Sequence, residues 1–230
     1  AIAICAIGLL GGKSKFFGEL VVFIALVYFL KGRIHLNTSK TVVQFILLTI
    51  VVLFFTWSKF SRYYIDGFDP TSEIYGKQAR PETYKTALKI SFQDYVPVGS
   101  GLGTFATHAS GVYYSPLYYK YKMDRIWGLT PGNPMFAADA FYPVLAEYGI
   151  VGILLFIAFW RRRLKAVLKI QDPRAYRMGL MCILALALES VADTCYLSGK
   201  GMGYFMLLAI SINTARNKVL RNSYSIIYNA

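Results

Sequence analysis

Between two apolar runs, Thr41–Trp57 and Ala140–Trp160, the chain inserts 81 polar, tyrosine-rich residues, Ser58–Ala138. If both runs cross a bilayer, that insert is forced into water or onto a headgroup surface, because hydrocarbon leaves irregular polar backbone without hydrogen-bond partners. The insert is therefore where chemistry is expected.

Six apolar runs can be counted: Ala1–Leu10, Phe16–Leu30, Thr41–Trp57, Ala140–Trp160, Met178–Leu197 and Gly201–Ala215. A spanning helix needs about 20 residues, with a range of about 17–25, so the Phe16 and Gly201 runs need their flanks or a tilt. Only 16% of residues are charged and 56% are hydrophobic, against about 25% charged in an ordinary soluble domain. The expectation is an all-α integral membrane protein. It would have five to six transmembrane helices and one large extracytoplasmic loop containing short amphipathic helices. The chain then divides into a helical part at 1–57, the loop at 58–138, further helices at 139–215 and a cytoplasmic tail at 216–230. Ala1 already lies in an apolar stretch, with no Met and no basic region ahead of it. This reads as a fragment, not as a signal peptide.

Charge then orients the predicted spans. Lys31–Lys40, Arg161–Arg177 and Thr214–Ala230 hold 13 of the 25 basic residues and one acid, Asp172. Basic loops on one side follow the positive-inside rule, which places the 58–138 loop on the face of a multi-pass membrane protein opposite the cytoplasm. With the basicity assigned to topology, no basic patch remains for nucleic acid. Cys5, Cys182 and Cys195 fall in or near apolar runs with neither disulfide nor zinc spacing. No metal site is expected, since His108 and His35 are the only histidines.

Within the loop, Arg80-Pro81-Glu82 precedes Thr83, Tyr84, Ala87, Leu88, Phe92 and Tyr95 at helical spacing. Pro81 and Glu82 suit a first helical turn, and Lys85 and Lys89 fall on the polar face. The prediction is an amphipathic helix of about 13 residues on the membrane interface. Arg80 gains nothing from a helix N-terminus by itself; with an anion it gains, because its guanidinium and the free amides both bind phosphate oxygens. Arg80 is thus either a solvated loop residue or half of an anion site. Gly99, Gly101 and Gly103, in Val96-Pro97-Val98-Gly99-Ser100-Gly101-Leu102-Gly103-Thr104-Phe105, fail as a dinucleotide fingerprint. They point to close backbone approach or to left-handed turns.

Glu19, Glu147, Glu189 and Asp193 lie inside apolar runs, where a charge is expensive and expected to face an interior. Glu189 and Asp193, at i and i+4, would share a helix face, as in a proton-coupled transporter. The ten tyrosines of the loop suit either an interfacial belt or sugar stacking.

The segment ARPETYKTALKISFQDYVPVGSGLGTF, followed by ADAFYPVLAEYGIVGILLF at Ala138–Phe156, resembles the carboxyl-terminal half of the O-antigen ligase and polysaccharide polymerase (Wzy-type) superfamily. A weaker likeness is GGKSK at Gly11–Lys15. The resemblance implies a metal- and cofactor-independent glycosyltransferase of the bacterial inner membrane, multi-pass with its large loop on the periplasmic or extracellular side, which moves a glycan from an undecaprenyl-pyrophosphate carrier to an acceptor glycan. A lipid bilayer and a chain-length regulator protein are its implied partners.

Arg80 and Lys15 match the family's phosphate-contacting basic residues. Lys15 lacks the guanidinium fork, with Lys13 as competitor and interfacial anchoring as the alternative for both. Asp139 stands where ligases of the family carry a histidine. It is expected as general base, as partner of Arg80, or simply as the N-cap of a helix from Ala140. His108 is a candidate replacement for that histidine. Lys85, Gly101, Gly103 and Glu147 complete the expected substrate-binding set. The other function classes open at this point are a lipid-linked glycan or ion transporter and a structural membrane subunit.

Overall fold

The computed structural model describes residues 61–228, together with Val43, Leu47, Ile50 and Trp57. The runs Ala1–Leu10 and Phe16–Leu30, most of Thr41–Trp57, and Lys13, Lys15, Glu19, Cys5 and His35 lie outside the described residues. Six α-helices are described: α1 Ala79–Lys89, α2 His108–Val112, α3 Pro116–Lys120, α4 Gly149–Leu168, α5 Pro173–Glu189 and α6 Gly199–Tyr228. Shorter π and 3-10 turns connect them, and the described residues contain one isolated bridge, Thr130–Asn133. Two compact units result: Trp57–Trp160 with Leu188–Gly199, and the remainder of the chain.

The predicted transmembrane architecture is overturned. Among the described residues no helix is long and apolar enough to cross a membrane. The run Ala140–Trp160 is not one helix: Tyr142–Glu147 is a 3-10 turn, and Gly149, at φ +58°, starts α4 anew. From Gly149 the apolar part ends at Trp160, since Arg161, Arg162, Arg163 and Lys165 belong to the same helix. At 1.5 Å per residue those 12 residues reach about 18 Å, against a hydrocarbon thickness of about 30 Å. The run Met178–Leu197 breaks at Glu189, where α5 ends, and Lys200 opens α6. The Arg161–Arg177 cluster, read as a cytoplasmic loop, is mostly the end of α4 and the start of α5. The multi-pass inner-membrane localisation falls with the spans. Glu189 and Asp193 do not share a helix face either, because Asp193 lies beyond the end of α5.

In the first unit the core gathers around Ile90, Phe105, Tyr118, Met123, Leu129 and Val144, all essentially inaccessible to solvent. Each buried side chain of this size contributes roughly 1.5–3 kcal/mol. Tyr118 is central: its ring lies 5.7 Å from that of Phe105, and its hydroxyl accepts from the Ala106 amide at 3.2 Å and meets Ser110 Oγ at 2.9 Å. Burial raises the Tyr118 pKa, against the lowering effect of those two bonds. A second aromatic group joins Phe141, Phe156, Trp160 and Tyr196, with Phe141 and Tyr196 centred 4.4 Å apart.

Helix α1 packs chiefly on the Tyr142–Glu147 turn. Its buried stripe is Ala79, Thr83, Thr86 and Ala87, continued by Ile90 and Ser91 in the π turn Ile90–Asp94. Leu88 and Phe92, expected on the apolar face, are exposed. Small side chains let the helix approach closely, and Thr83 satisfies its hydroxyl by donating to Ala79 O at 2.7 Å.

In the second unit α5 and α6 meet where Gly179 has no side chain. A Cβ there would stand 2.8 Å from Ser211 Oγ and 3.0 Å from a Val167 methyl, and Ser211 Oγ donates to Ala175 O. Cys182 here, and Cys195 in the first unit, are buried and in no disulfide. Burial pushes the Cys182 thiol up to about 11, which keeps it unreactive at neutral pH.

Candidate functional site

Gln78 caps α1 in extended conformation, without a side-chain cap bond, so Arg80 leaves the first turn where chain direction changes. Its Nε donates to Asp139 Oδ2 at 2.8 Å and its Nη2 reaches the same oxygen at 2.5 Å. The two residues are 59 positions apart. Asp139 is fixed through its C-terminal neighbours: Ala140 and Phe141 are buried, and the Phe141 amide donates to Ser190 O at 3.0 Å. Tyr84, one turn along α1 from Arg80, donates its hydroxyl to Val191 O at 2.9 Å. Both ends of the ion pair are therefore held by ordered backbone. Asp139 caps no helix, since the next turn starts at Tyr142 with Phe141 as its cap.

The pair lines a cavity of about 250 Å³. Arg62 and Lys77, both exposed, line it as well, as do Gln78 and Ala79 at the start of α1. Trp127 and Phe136 form an aromatic side. Asp139 neutralises Arg80, leaving the lining two formal positive charges in excess. Arg80 and Asp139 stay about one-fifth to one-quarter accessible, 19% and 24%, so a ligand can reach both.

The other expected site residues go elsewhere. Lys85 pairs with Glu82 at 2.7 Å and lies over the Tyr75 ring, 3.6 Å from its centre. It lines no part of the cavity. His108 is the exposed first residue of α2, whose cap is Thr107, and it too is absent from the lining. Among the described residues no three His, Cys, Asp or Glu side chains gather in metal-ligand reach.

Glu147 and the glycine segment make a separate arrangement. Glu147 is 3% exposed. Its Oε2 accepts from the Gly103 amide at 3.0 Å, and its Oε1 accepts from the Phe105 amide at 2.8 Å and the Thr107 hydroxyl at 3.1 Å. Gly101 N donates to the Glu147 carbonyl, and Ser100 N to that of Ala146, each at 3.1 Å. Gly99 and Gly149 face each other so closely that a Cβ on Gly99 would lie 2.3 Å from the Gly149 nitrogen. All three glycines take left-handed backbone, φ +85° at Gly99, +94° at Gly101 and +74° at Gly103. The segment thus uses every glycine for turning and Gly99 for close approach as well, with Glu147 as its anchor.

Arg62, Lys77, Gln78, Trp127 and Phe136 carry no site signal in the sequence. They come from irregular segments and a helix cap, where no periodicity marks them. No family model matches the chain, and neither a curated protein nor a solved structure matches it. The likeness to O-antigen ligases and polymerases therefore rests on the quoted segments alone, and the glycosyltransferase and transmembrane labels drawn from it find no support in those comparisons.

Proposed function

We propose that the Arg80–Asp139 cavity is the donor site of an enzyme that transfers a glycosyl group from a pyrophosphate-linked glycan, with a polyprenyl carrier as the resemblance implies. The observation that carries this reading is the Arg80–Asp139 pair itself, held from both sides in a cavity that adds two further cations and an aromatic side. Such a transfer needs cations for the departing pyrophosphate, a base for the acceptor hydroxyl and a groove for the sugar.

The acceptor hydroxyl oxygen attacks the anomeric carbon, the bond from that carbon to the pyrophosphate oxygen breaks, and the pyrophosphate departs with the electron pair. Fixed cations where that charge accumulates stabilise the transition state more than the ground state. Arg80, Arg62 and Lys77 supply them. Asp139 takes the acceptor proton. Its Oδ2 is held by the Arg80 guanidinium, and a pyrophosphate that draws the guanidinium toward itself frees that oxygen for the acceptor hydroxyl.

The test is product formation by the purified chain from a polyprenyl-pyrophosphate oligosaccharide and an acceptor glycan, followed by mass spectrometry. Arg80→Ala is expected to lower the rate by about 10²-fold or more, on the scale seen when one charge-stabilising donor is lost. Transfer at the original rate in that variant, or no transfer by the unaltered chain, refutes the reading.

A further inference from the structure

Trp127 is the largest side chain at the cavity, and it is 66% exposed. An indole left in solvent forfeits the burial that makes tryptophan useful in a fold, yet this one is not loose. Its ring stands edge-on to Phe136, centroids 5.3 Å apart at 66°. Phe136 is in turn clamped: its amide donates to Gly128 O at 2.8 Å. Its ring also occupies the space a side chain at position 128 would need, a Cβ there falling 2.1 Å from Phe136 Cδ2. Gly128, at φ +83°, is thus required twice over, for its backbone and for the ring laid against it. Asn133 N closes the intervening turn onto Thr130 O at 3.0 Å, and Leu129 is buried beneath it. The whole stretch Trp127–Phe136 acts as a mount that holds one indole in place at a cation-lined cavity.

We infer that Trp127 is the residue that selects the sugar: its indole stacks on the pyranose ring next to the anomeric carbon while Arg80, Arg62 and Lys77 hold the pyrophosphate. This rests on the donor-site proposal and adds the residue that recognises the glycosyl part. A flat ring fixed before binding loses little conformational freedom when a sugar face covers it. An aromatic face also accepts C–H groups while leaving the sugar hydroxyls at the rim in water. The cavity's about 250 Å³ lies just below the about 300–1,000 Å³ of drug-sized ligand pockets, room for one sugar residue with its phosphates. The rest of a repeat unit extends outside. Selection then acts on the first sugar alone.

Calorimetric titration of the full chain with two probes tests this: inorganic pyrophosphate, and a short-chain alkyl pyrophosphate carrying one N-acetylhexosamine. Trp127→Ala is expected to weaken the glycosyl pyrophosphate roughly tenfold, the upper range for one aromatic contact, and to leave inorganic pyrophosphate unchanged. Trp127→Phe should recover part of the loss, and both variants should fold, since the ring is mostly exposed. Equal losses for both probes, or none for either, overturn the assignment of Trp127 while leaving an Arg80-dependent anion site standing. If neither probe binds the unaltered chain, the donor-site proposal falls and this inference with it.

Discussion

Asp139 and Glu147 lie eight residues apart in one segment, and both reach back to the region between Arg80 and Thr107, yet they do opposite work. Glu147 is buried and satisfied by two backbone amides and a hydroxyl; nothing soluble can reach it. Asp139 is partly accessible, meets a guanidinium, and borders a cavity with an excess of cations. A buried carboxylate serves architecture when its partners are main-chain groups that can go nowhere else. An accessible one paired with a side-chain cation serves exchange, because a competing anion can take the cation.

Substitutions can break that contrast. Asp139→Asn is expected to cut transfer about 10²–10⁴-fold, the usual worth of a general base. It should cost no more than about 1 kcal/mol of stability, since the pair is partly solvated. Glu147→Ala should do the reverse, destabilising by about 3 kcal/mol because one buried amide, one part-buried amide and a hydroxyl lose their acceptor. Urea denaturation separates the two cases, and a larger stability loss for Asp139→Asn than for Glu147→Ala would erase the distinction.

Alkali probes the first unit more gently. Tyr114 donates to Leu129 O at 2.7 Å, and burial above all, helped by Asp124 and neighbouring tyrosines, lifts it to about 12. An unfolded tyrosine ionises near pH 10, so the contribution of Tyr114 is whole below about pH 10 and is lost as pH rises toward about 12. Tyr114→Phe is expected to cost about 1 kcal/mol at neutral pH for the lost hydrogen bond and to flatten the alkaline fall in stability. An unchanged alkaline slope would show that Tyr114 carries none of it. Smallest of all, His108→Ala should change stability by less than about 0.5 kcal/mol and leave transfer intact. A large loss of transfer would return His108 to the site.

The sequence makes some of these elements legible and hides others, for physical reasons particular to each. Arg80 and Asp139 both stand out, one before a helix and one at a motif position, and their pairing is among the roles the sequence allows. Glu147 looks like part of the substrate-binding set, but the 3-10 turn Tyr142–Glu147 stands where a helix is expected, and Glu147 turns to the glycine segment instead. The predicted spans fail for a related reason. An apolar run records composition, whereas span length depends on where Gly149, Arg161 and Glu189 start, charge or stop a helix. The buried face of α1 escapes a pattern of large apolar residues because Ala79, Thr83 and Ala87 pack by being small. The aromatic side of the cavity has no periodic signal, since Trp127 and Phe136 are brought together by a turn.

The central claim, that Asp139 keeps Arg80 available to an anion while Glu147 holds only the fold, is tested most directly by titrating inorganic pyrophosphate into the Asp139→Asn chain. Removing the competing carboxylate charge is predicted to tighten pyrophosphate binding several-fold at low salt, while Glu147→Gln, measured where it remains folded, leaves the affinity as it was. Weaker or unchanged binding in Asp139→Asn would contradict the account.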